Sequence, residues 1–217
     1  MFVRHRMTSP AITTGPDMPV MDALQFMRDK GVRRLPVVDG EGRLLGIVSE
    51  KDLLHAAPSS ATTLSIFEMS YLLHRLTVGR IMTKDVVTVE EDTPLEVAAR
   101  IMAEKHLGGL PVMRDGRVIG LITETDILLG FSEVLGAFQP GVRLMLHVPD
   151  EPGVLATVSQ KVTALGGNIA SLTVFPSREP KHGYVVLRVQ GAALRELTDS
   201  LDDGRIEVLD ARLMTAD

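Results

Sequence analysis

The chain lacks cysteine and tryptophan, and aromatic residues make up only 4% of its 217 positions. Without cysteine it forms neither disulfides nor thiolate metal sites, and this composition fits a reducing compartment. Its core must be built from Leu, Val, Ile, Ala and Met. The net charge of −5 leaves no basic surplus, which argues against a nucleic-acid partner.

Long apolar runs are also missing. None approaches the roughly 20 residues that a membrane-spanning helix requires. The basic start at residues 1–6 is not followed by the apolar segment of a signal peptide. From these absences we expect a cytoplasmic protein without a membrane partner.

An internal repeat organises the first 130 residues. The segments that recur in the same order are Met7-Thr8 as Met82-Thr83, Leu35-Pro36-Val37 as Leu110-Pro111-Val112, and GIVSEKD (46–52) as GLITETD (120–126). Because the register holds through each copy, one supersecondary unit has been duplicated.

Each copy has the pattern β-α-β-β-α. A short extended stretch precedes a helix whose start carries Asp17 in the first copy and Asp92 in the second, where an Asp is expected to act as the capping acceptor. A second helix is expected to begin at Ser49 or Thr123. The apolar strands of the two copies are expected at residues 35–38 and 44–48, and at 110–113 and 118–122.

The pattern changes to β-α-β-β-α-β after residue 142. This is the order of the ferredoxin-like split βαβ fold, so the fold class is α/β (α+β). The expected strands lie at 143–148, 169–175, 184–189 and 206–213, and the helices at 154–165 and 192–201. The expected divisions are a first repeat at 1–56, a connection with an apolar helix (64–76) at 57–80, a second repeat at 81–130, a linker at 131–141 and the last domain at 142–214.

Motifs of catalytic sites are absent. The sequence has no P-loop, nucleophile elbow or zinc-protease motif. Its six histidines are scattered without metal-ligand spacing. We therefore expect a protein that is not an enzyme, with no metal and no catalytic cofactor.

One duplicated motif carries polar chemistry at the junction between a strand and the second helix. In each copy a glycine, a hydroxyl residue and a carboxylate follow at intervals of three: Gly46, Ser49 and Asp52, then Gly120, Thr123 and Asp126. The hydroxyl and the carboxylate can form a simple helix cap. The junction can also bind an anion through backbone N–H groups while the carboxylate accepts ribose hydroxyls, and the glycine would let the sugar approach. Both interpretations stay open on the residues alone.

These motifs resemble the CBS domain, two copies of which form a Bateman module, over about residues 1–130. The resemblance implies two clefts for AMP, ATP or S-adenosylmethionine, in which Asp52 and Asp126 hold ribose and Ser49 and Thr123 hold phosphate or ribose. It places further lining residues at Ala11, Ile12, Pro36, Val86, Val87 and Pro111.

The two copies differ at one matched position. Arg33-Arg34 of the first copy corresponds to Gly108-Gly109 of the second. An arginine there, such as Arg34, is able to contact a phosphate across the cleft, whereas a glycine offers no charge. We therefore expect two unequal ligand sites.

Residues 142–214 resemble the ACT domain through DEPGVL (150–155) and GGNI (166–169). The resemblance implies a site for an amino acid or another small metabolite between paired domains, lined by Asp150, Gly153, Val154, Leu155 and Asn168. The Asp150 carboxylate would repel the carboxylate of an amino acid. Taken alone, Asn168 is interpreted as a turn residue that tolerates positive φ.

The combination of domains resembles the AcuB-type regulatory proteins of acetoin utilisation. This resemblance implies a homodimer or larger homo-oligomer that senses an adenine nucleotide and modulates a partner protein. The alternative is a structural oligomerisation module whose ligand sites are vestigial.

Overall fold

The computed structural model describes residues 1–56 and 76–215. The chain divides into two compact units, Met1–Gly130 and Phe131–Asp217. The apolar helix expected at residues 64–76 lies, except for Leu76, outside the described residues. Among the residues described, no helix is both long and apolar enough to cross a bilayer.

The first unit contains both repeats. The β-α-β-β-α order is confirmed in the second repeat, whereas in the first repeat the extended stretch before the first helix forms only a single bridge at Thr14. The first repeat consists of α1 (Val20–Lys30), β1 (Arg34–Val38), β2 (Leu44–Ser49) and α2 (Glu50–Ala56). The second consists of the short α3 (Val78–Ile81), β3 (Val89–Glu90), α4 (Leu95–Lys105), β4 (Gly109–Arg114), β5 (Arg117–Thr123) and α5 (Glu124–Val134).

The two hairpins of the first unit share one register. β1 pairs with β2 and β4 pairs with β5, and both pairs are antiparallel. A bulge occurs at the matching position of each hairpin, after Val37 in the first and after Val112 in the second. β3 lies parallel to β4, and in the first repeat Thr14 forms the corresponding parallel bridge to Val37. The duplicated sequence therefore folds as a duplicated structure.

The starts of α1 and α4 correct the sequence prediction. Each has a proline at its N-cap and no side-chain cap hydrogen bond, so capping by Asp17 and Asp92 is wrong. In the second repeat the N–H of Leu95 donates instead to the carbonyl of Met1 at 3.0 Å. A residue distant in sequence satisfies this donor, which a local capping motif does not reveal.

The second unit is the expected βαββαβ domain. Its elements are β6 (Gly141–Pro149), α6 (Val154–Ala164), β7 (Asn168–Pro176), β8 (His182–Gln190), α7 (Leu194–Leu201) and β9 (Glu207–Met214). The strands form one antiparallel sheet in the order β7-β8-β6-β9, which is the ferredoxin-like topology. α5 runs to Val134 and so extends into the residues that the sequence assigned to the linker at 131–141.

The core of the second unit lies between the helices and one face of the sheet. In β6 every second residue is buried, from Val142 to Val148. On β8, Arg188 is also buried, only 4% exposed, and its Nε and Nη1 have no hydrogen-bond partner among the described residues. Burial lowers the pKa of Arg188, and the positive charge of Arg143 lowers it further. A buried N–H group without an acceptor is unfavourable, so these two nitrogens, which have no partner in the described part of the chain, lower the stability of the unit.

Candidate ligand-binding cleft

The start of each repeat pairs with the other repeat. Thr8 exchanges two backbone hydrogen bonds with Leu121, at 2.9 and 3.1 Å. Thr83 exchanges two with Ile47, both at 2.9 Å. Because these segments cross over, residues from both repeats meet at each strand-to-helix junction.

The crossing explains the glycine of the duplicated motif. A Cβ at Gly120 would lie 2.9 Å from the carbonyl oxygen of Thr8, and a Cβ at Gly46 would lie 2.8 Å from that of Thr83. These separations are shorter than carbon–oxygen contacts allow, so a larger residue would displace the crossing segment. The sequence interpretation, in which these glycines admit a sugar, missed this contact between the repeats.

The hydroxyl and carboxylate of the motif form a cap in both repeats. Oδ2 of Asp126 accepts the N–H of Thr123 at 2.8 Å and its hydroxyl at 2.7 Å. Asp52 accepts the same groups of Ser49 at 2.8 and 2.7 Å. In the described part of the chain these bonds all use Oδ2, so the cap leaves Oδ1 of each carboxylate able to accept a hydrogen bond from a ligand.

A cavity of about 570 Å³ opens between the two junctions. It brings together five of the predicted residues: Ile12, Arg34, Ser49, Thr123 and Asp126. It is also lined by Thr8 and by four further charged residues, Arg33, Glu50, Lys51 and Glu124. Three cations and three carboxylates therefore face this space. A cavity of this size is typical of sites for small organic ligands, about 300 to 1,000 Å³.

Other predicted residues do not line this cavity. Ala11 lines a separate cavity of about 330 Å³. Pro36 and Pro111 are buried within β1 and β4. Gly46 and Gly120 are buried under the crossing segments. Asp52 is exposed on α2, and Val86 and Val87 are half-buried before β3.

Arg34 makes the cleft unsymmetrical. Its guanidinium occupies the space that a Cβ at Gly108 would need, and its Cδ lies 3.3 Å from where a Cβ at Gly109 would be. The Arg34 side chain of the first repeat therefore lies over the glycines of the second. This packing accounts for the difference between the copies at this position and places a positive charge in the same cavity as Asp126.

Sequence reasoning overlooked Thr8 and Lys51. Thr8 belongs to the repeated Met-Thr pair, so the duplication was a usable indication of its importance. Lys51 corresponds to Thr125 in the second copy, and nothing in the sequence distinguishes it from an ordinary surface lysine. Glu50 and Glu124 begin α2 and α5, where acidic residues commonly stabilise a helix, and both also line the cavity.

In the second unit the structure places Asn168 apart from the other four residues predicted for the ACT site. The four, Asp150, Gly153, Val154 and Leu155, follow β6 and begin α6, at the end of the sheet where Pro149 pairs with His182. Asn168 pairs with Gln190 at the opposite end. It begins β7 and is not among the positive-φ residues, so the turn interpretation is wrong. A site that includes all five would need residues from two copies.

The structure also assembles a group that the sequence did not predict. His147, Glu179 and His182 have potential ligand atoms that all lie within 4.8 Å of one another. Glu179 and His182 are only three residues apart, but His147 comes from β6, far earlier in the chain, so the histidines alone show no metal-ligand spacing.

Two family models match this chain. The CBS domain model matches residues 3–59 and 78–133, and the TTHA0829-like ACT domain model matches residues 140–212. A CBS domain-containing protein of Dictyostelium discoideum is 33% identical over 141 residues, which cover 64% of this chain and 97% of the relative. The inosine-5'-monophosphate dehydrogenase of Nitrosopumilus maritimus is 36% identical over 112 residues, 51% of this chain but only 20% of that enzyme.

Solved structures similar to this chain match over about the length of the first unit. The CBS domain pair of protein MJ0100, in complex with 5'-methylthioadenosine and S-adenosyl-L-methionine, has a TM-score of 0.51 at 28% identity and covers 61% of this chain and 97% of its own. CBSX2 in complex with AMP has a TM-score of 0.50 at 32% identity, with coverage of 61% and 97%. A Vibrio cholerae protein assigned to acetoin utilization (AcuB) has a TM-score of 0.53 at 29% identity, with coverage of 63% and 93%.

Proposed function

Because two CBS domains and an ACT-like domain make this chain a member of the CBS domain family, we propose that it is a regulatory protein that binds an adenine nucleotide between its repeats. CBS domain pairs bind adenosine-containing ligands and are regulatory. The observation that carries the proposal is the cavity in which Asp126 of one repeat and Arg34 of the other line the same space.

The cavity has a suitable group for each part of a nucleotide. Oδ1 of Asp126 accepts a ribose hydroxyl, as carboxylates do in dinucleotide sites. Ile12 and Leu121 supply apolar surface for the base. Arg34 provides the planar guanidinium that binds phosphate oxygens in pairs. These roles extend over both repeats, so a bound nucleotide would hold them together.

The charge balance favours a ligand of low net charge. The cavity is lined by the cations Arg33, Arg34 and Lys51 and the carboxylates Glu50, Glu124 and Asp126. A triphosphate would bring three to four negative charges into a site without a cationic excess. We propose AMP as the preferred ligand because Arg34 can pair with its single phosphate, with S-adenosylmethionine, which has no phosphate, as the next candidate and ATP as the weakest.

AMP is expected to raise the melting temperature of the intact chain. A ligand that binds only the folded state stabilises it by about 2.7 kcal/mol when its concentration is 100 times Kd. The measurement is a thermal-shift series with AMP, ADP, ATP, NAD and S-adenosylmethionine. No shift with any of them would support the alternative, a structural module with vestigial sites.

The regulatory role would operate through a conformational equilibrium. A ligand changes such an equilibrium only through its different affinity for the two states, and a partner protein would then recognise the favoured state. The enzyme relative matches over a fifth of its length, so its activity does not transfer to this chain. We propose a non-catalytic cytoplasmic regulator, with a metabolite or amino acid as the ligand of its ACT-like domain and a place in acetoin utilisation.

We further propose that the protein is a homodimer or larger homo-oligomer. Leu128 on α5 is 66% exposed and Leu213 on β9 is 70% exposed, and contact between copies would cover such apolar surface. The apolar segment at residues 66–76, a further reason in the sequence to expect pairing, lies outside the described residues except for Leu76. Light scattering at micromolar concentration should give at least twice the chain mass of 23.6 kDa. A strictly monomeric mass would contradict the proposal.

A further inference from the structure

The group of His147, Glu179 and His182 joins the adjacent strands β6 and β8 and the hairpin between β7 and β8. Nε2 of His147 lies 3.6 Å from Oε2 of Glu179, and Nδ1 of His182 lies 3.6 Å from Oε1 of the same carboxylate. The side chains of His147 and His182 are 17% and 33% exposed, so both are partly buried and an ion from solvent can still reach them.

The sheet register brings the two histidines together. His147 is paired with Tyr184 and Pro149 with His182, so His147 and His182 are diagonal neighbours. Side chains alternate along a strand, and those of Leu146 and Val148 face the core. Both histidines therefore lie on the sheet face away from α6 and α7.

The hairpin places the carboxylate over this face. Lys181 adopts a left-handed conformation (φ 63°), and its carbonyl accepts the N–H of Asp150 at 2.8 Å. The N–H of His182 donates to the carbonyl of Glu179 at 3.3 Å. These two bonds fix the backbone of the hairpin that carries Glu179, whose side chain is 60% exposed.

We propose that His147, His182 and Glu179 bind a divalent transition-metal ion of the Zn²⁺ class. Two imidazoles and a carboxylate are a known ligand set for zinc, with a fourth position left to water. Bonds of 2.0 to 2.1 Å to a tetrahedral ion separate the ligand atoms by roughly 3.4 Å. The two separations of 3.6 Å, which go to different oxygens of Glu179, are close to this value. One ligand atom from each residue lies within 4.8 Å of the other two, so the group must contract to hold an ion.

A fourth side chain supports this assignment. Nδ1 of His147 lies 3.6 Å from Oε2 of Glu207, on the side of the ring opposite Glu179. The second ring N–H of a metal-bound histidine commonly donates a hydrogen bond to a carboxylate, which orients the ring and fixes the tautomer. Glu207 would become a positioning residue for His147 once this contact shortens to a hydrogen bond, and the two carboxylates provide negative charge for the cation.

Binding requires one ring to turn. The imidazoles are stacked, with centroids 4.8 Å apart and planes inclined by 22°. The lone pair of an imidazole nitrogen lies in the ring plane, so two nearly parallel rings do not point at one ion. His182 is the more exposed of the two, and it would exchange the contact of Nδ1 with the carbonyl of Pro180, 3.2 Å, for the metal. The ion would then link β6 to the hairpin.

The test is a Zn²⁺ titration of the full chain without an affinity tag, after chelator treatment, followed by calorimetry. Co²⁺ absorption reports the coordination geometry. One ion per chain is expected, with micromolar or tighter affinity. His182→Gln should weaken binding at least about tenfold, and Glu207→Gln should weaken it about 10- to 100-fold, as the loss of an outer carboxylate does. The matched control is His106→Asn, because His106 has positive φ, which Asn tolerates, and lies in the first unit.

Two results would overturn the proposal: no saturable Zn²⁺ binding by the unmodified chain, or equal affinity in His182→Gln and the unmodified chain. His147 is the more buried histidine, so His182→Gln decides the matter if His147→Gln does not fold. The AMP thermal shift should persist in His182→Gln. Its persistence separates failure of the metal site from failure of the proposed nucleotide function.

Discussion

Replacing Asp126 by alanine is expected to weaken AMP binding about ten- to hundredfold. Hydrogen bonds to a charged acceptor contribute about 1.5 to 3 kcal/mol, which corresponds to this change in affinity. Asp126 lines the cavity that also contains Arg34, whereas Asp52 does not line it. Asp52→Ala should therefore leave AMP affinity at this cavity nearly unchanged. The measurement is isothermal titration of both variants.

The two substitutions control for each other because the two aspartates make the same cap. Each accepts a backbone N–H at 2.8 Å and a hydroxyl at 2.7 Å. Loss of a cap costs about 0.5 to 2 kcal/mol of stability, so the urea midpoints of both variants should fall by similar amounts. Unchanged affinity in Asp126→Ala would show that this carboxylate is a helix cap only. Equal losses of affinity in both variants would contradict the unequal clefts.

Gly120→Ala is expected to destabilise the first unit by about 1 to 3 kcal/mol, the usual cost of overpacking. The added Cβ would lie 2.7 Å from Sδ of Met7 and 2.9 Å from the carbonyl oxygen of Thr8. The methionine end is able to move, but the carbonyl belongs to the backbone that pairs with Leu121. Because Thr8 also lines the cavity, AMP affinity should fall with stability.

Gly40→Ala is the matched control for this substitution. A Cβ at Gly40 meets nothing within 4 Å, and its backbone does not have positive φ. Its free energy of unfolding in urea should stay within about 0.5 kcal/mol of that of the unmodified protein, as for ordinary surface changes. If Gly120→Ala were equally neutral, the crossing of the repeats would not be the reason for glycine there.

Local order in this protein was accessible from the sequence. The duplication from Met7-Thr8 to Asp126, the strand and helix order, and the βαββαβ domain all follow from periodicity and turn residues. The repeated sequence also predicts the strand-to-helix motif and its cap, which the structure contains in both repeats. These features depend on neighbours within a few residues, which a sequence displays directly.

Contacts between distant segments were decided only by the tertiary structure. The carbonyl of Met1 satisfies the start of α4, Thr8 crosses Gly120, and Arg34 lies over Gly108. Each contact depends on how the two repeats pack against each other. Such packing leaves no periodic pattern of residues in the sequence from which it could be predicted. The group of His147, Glu179 and His182 is the strongest case. Whether two histidines become neighbours depends on strand register, and a shift of one residue would place them on opposite faces of the sheet.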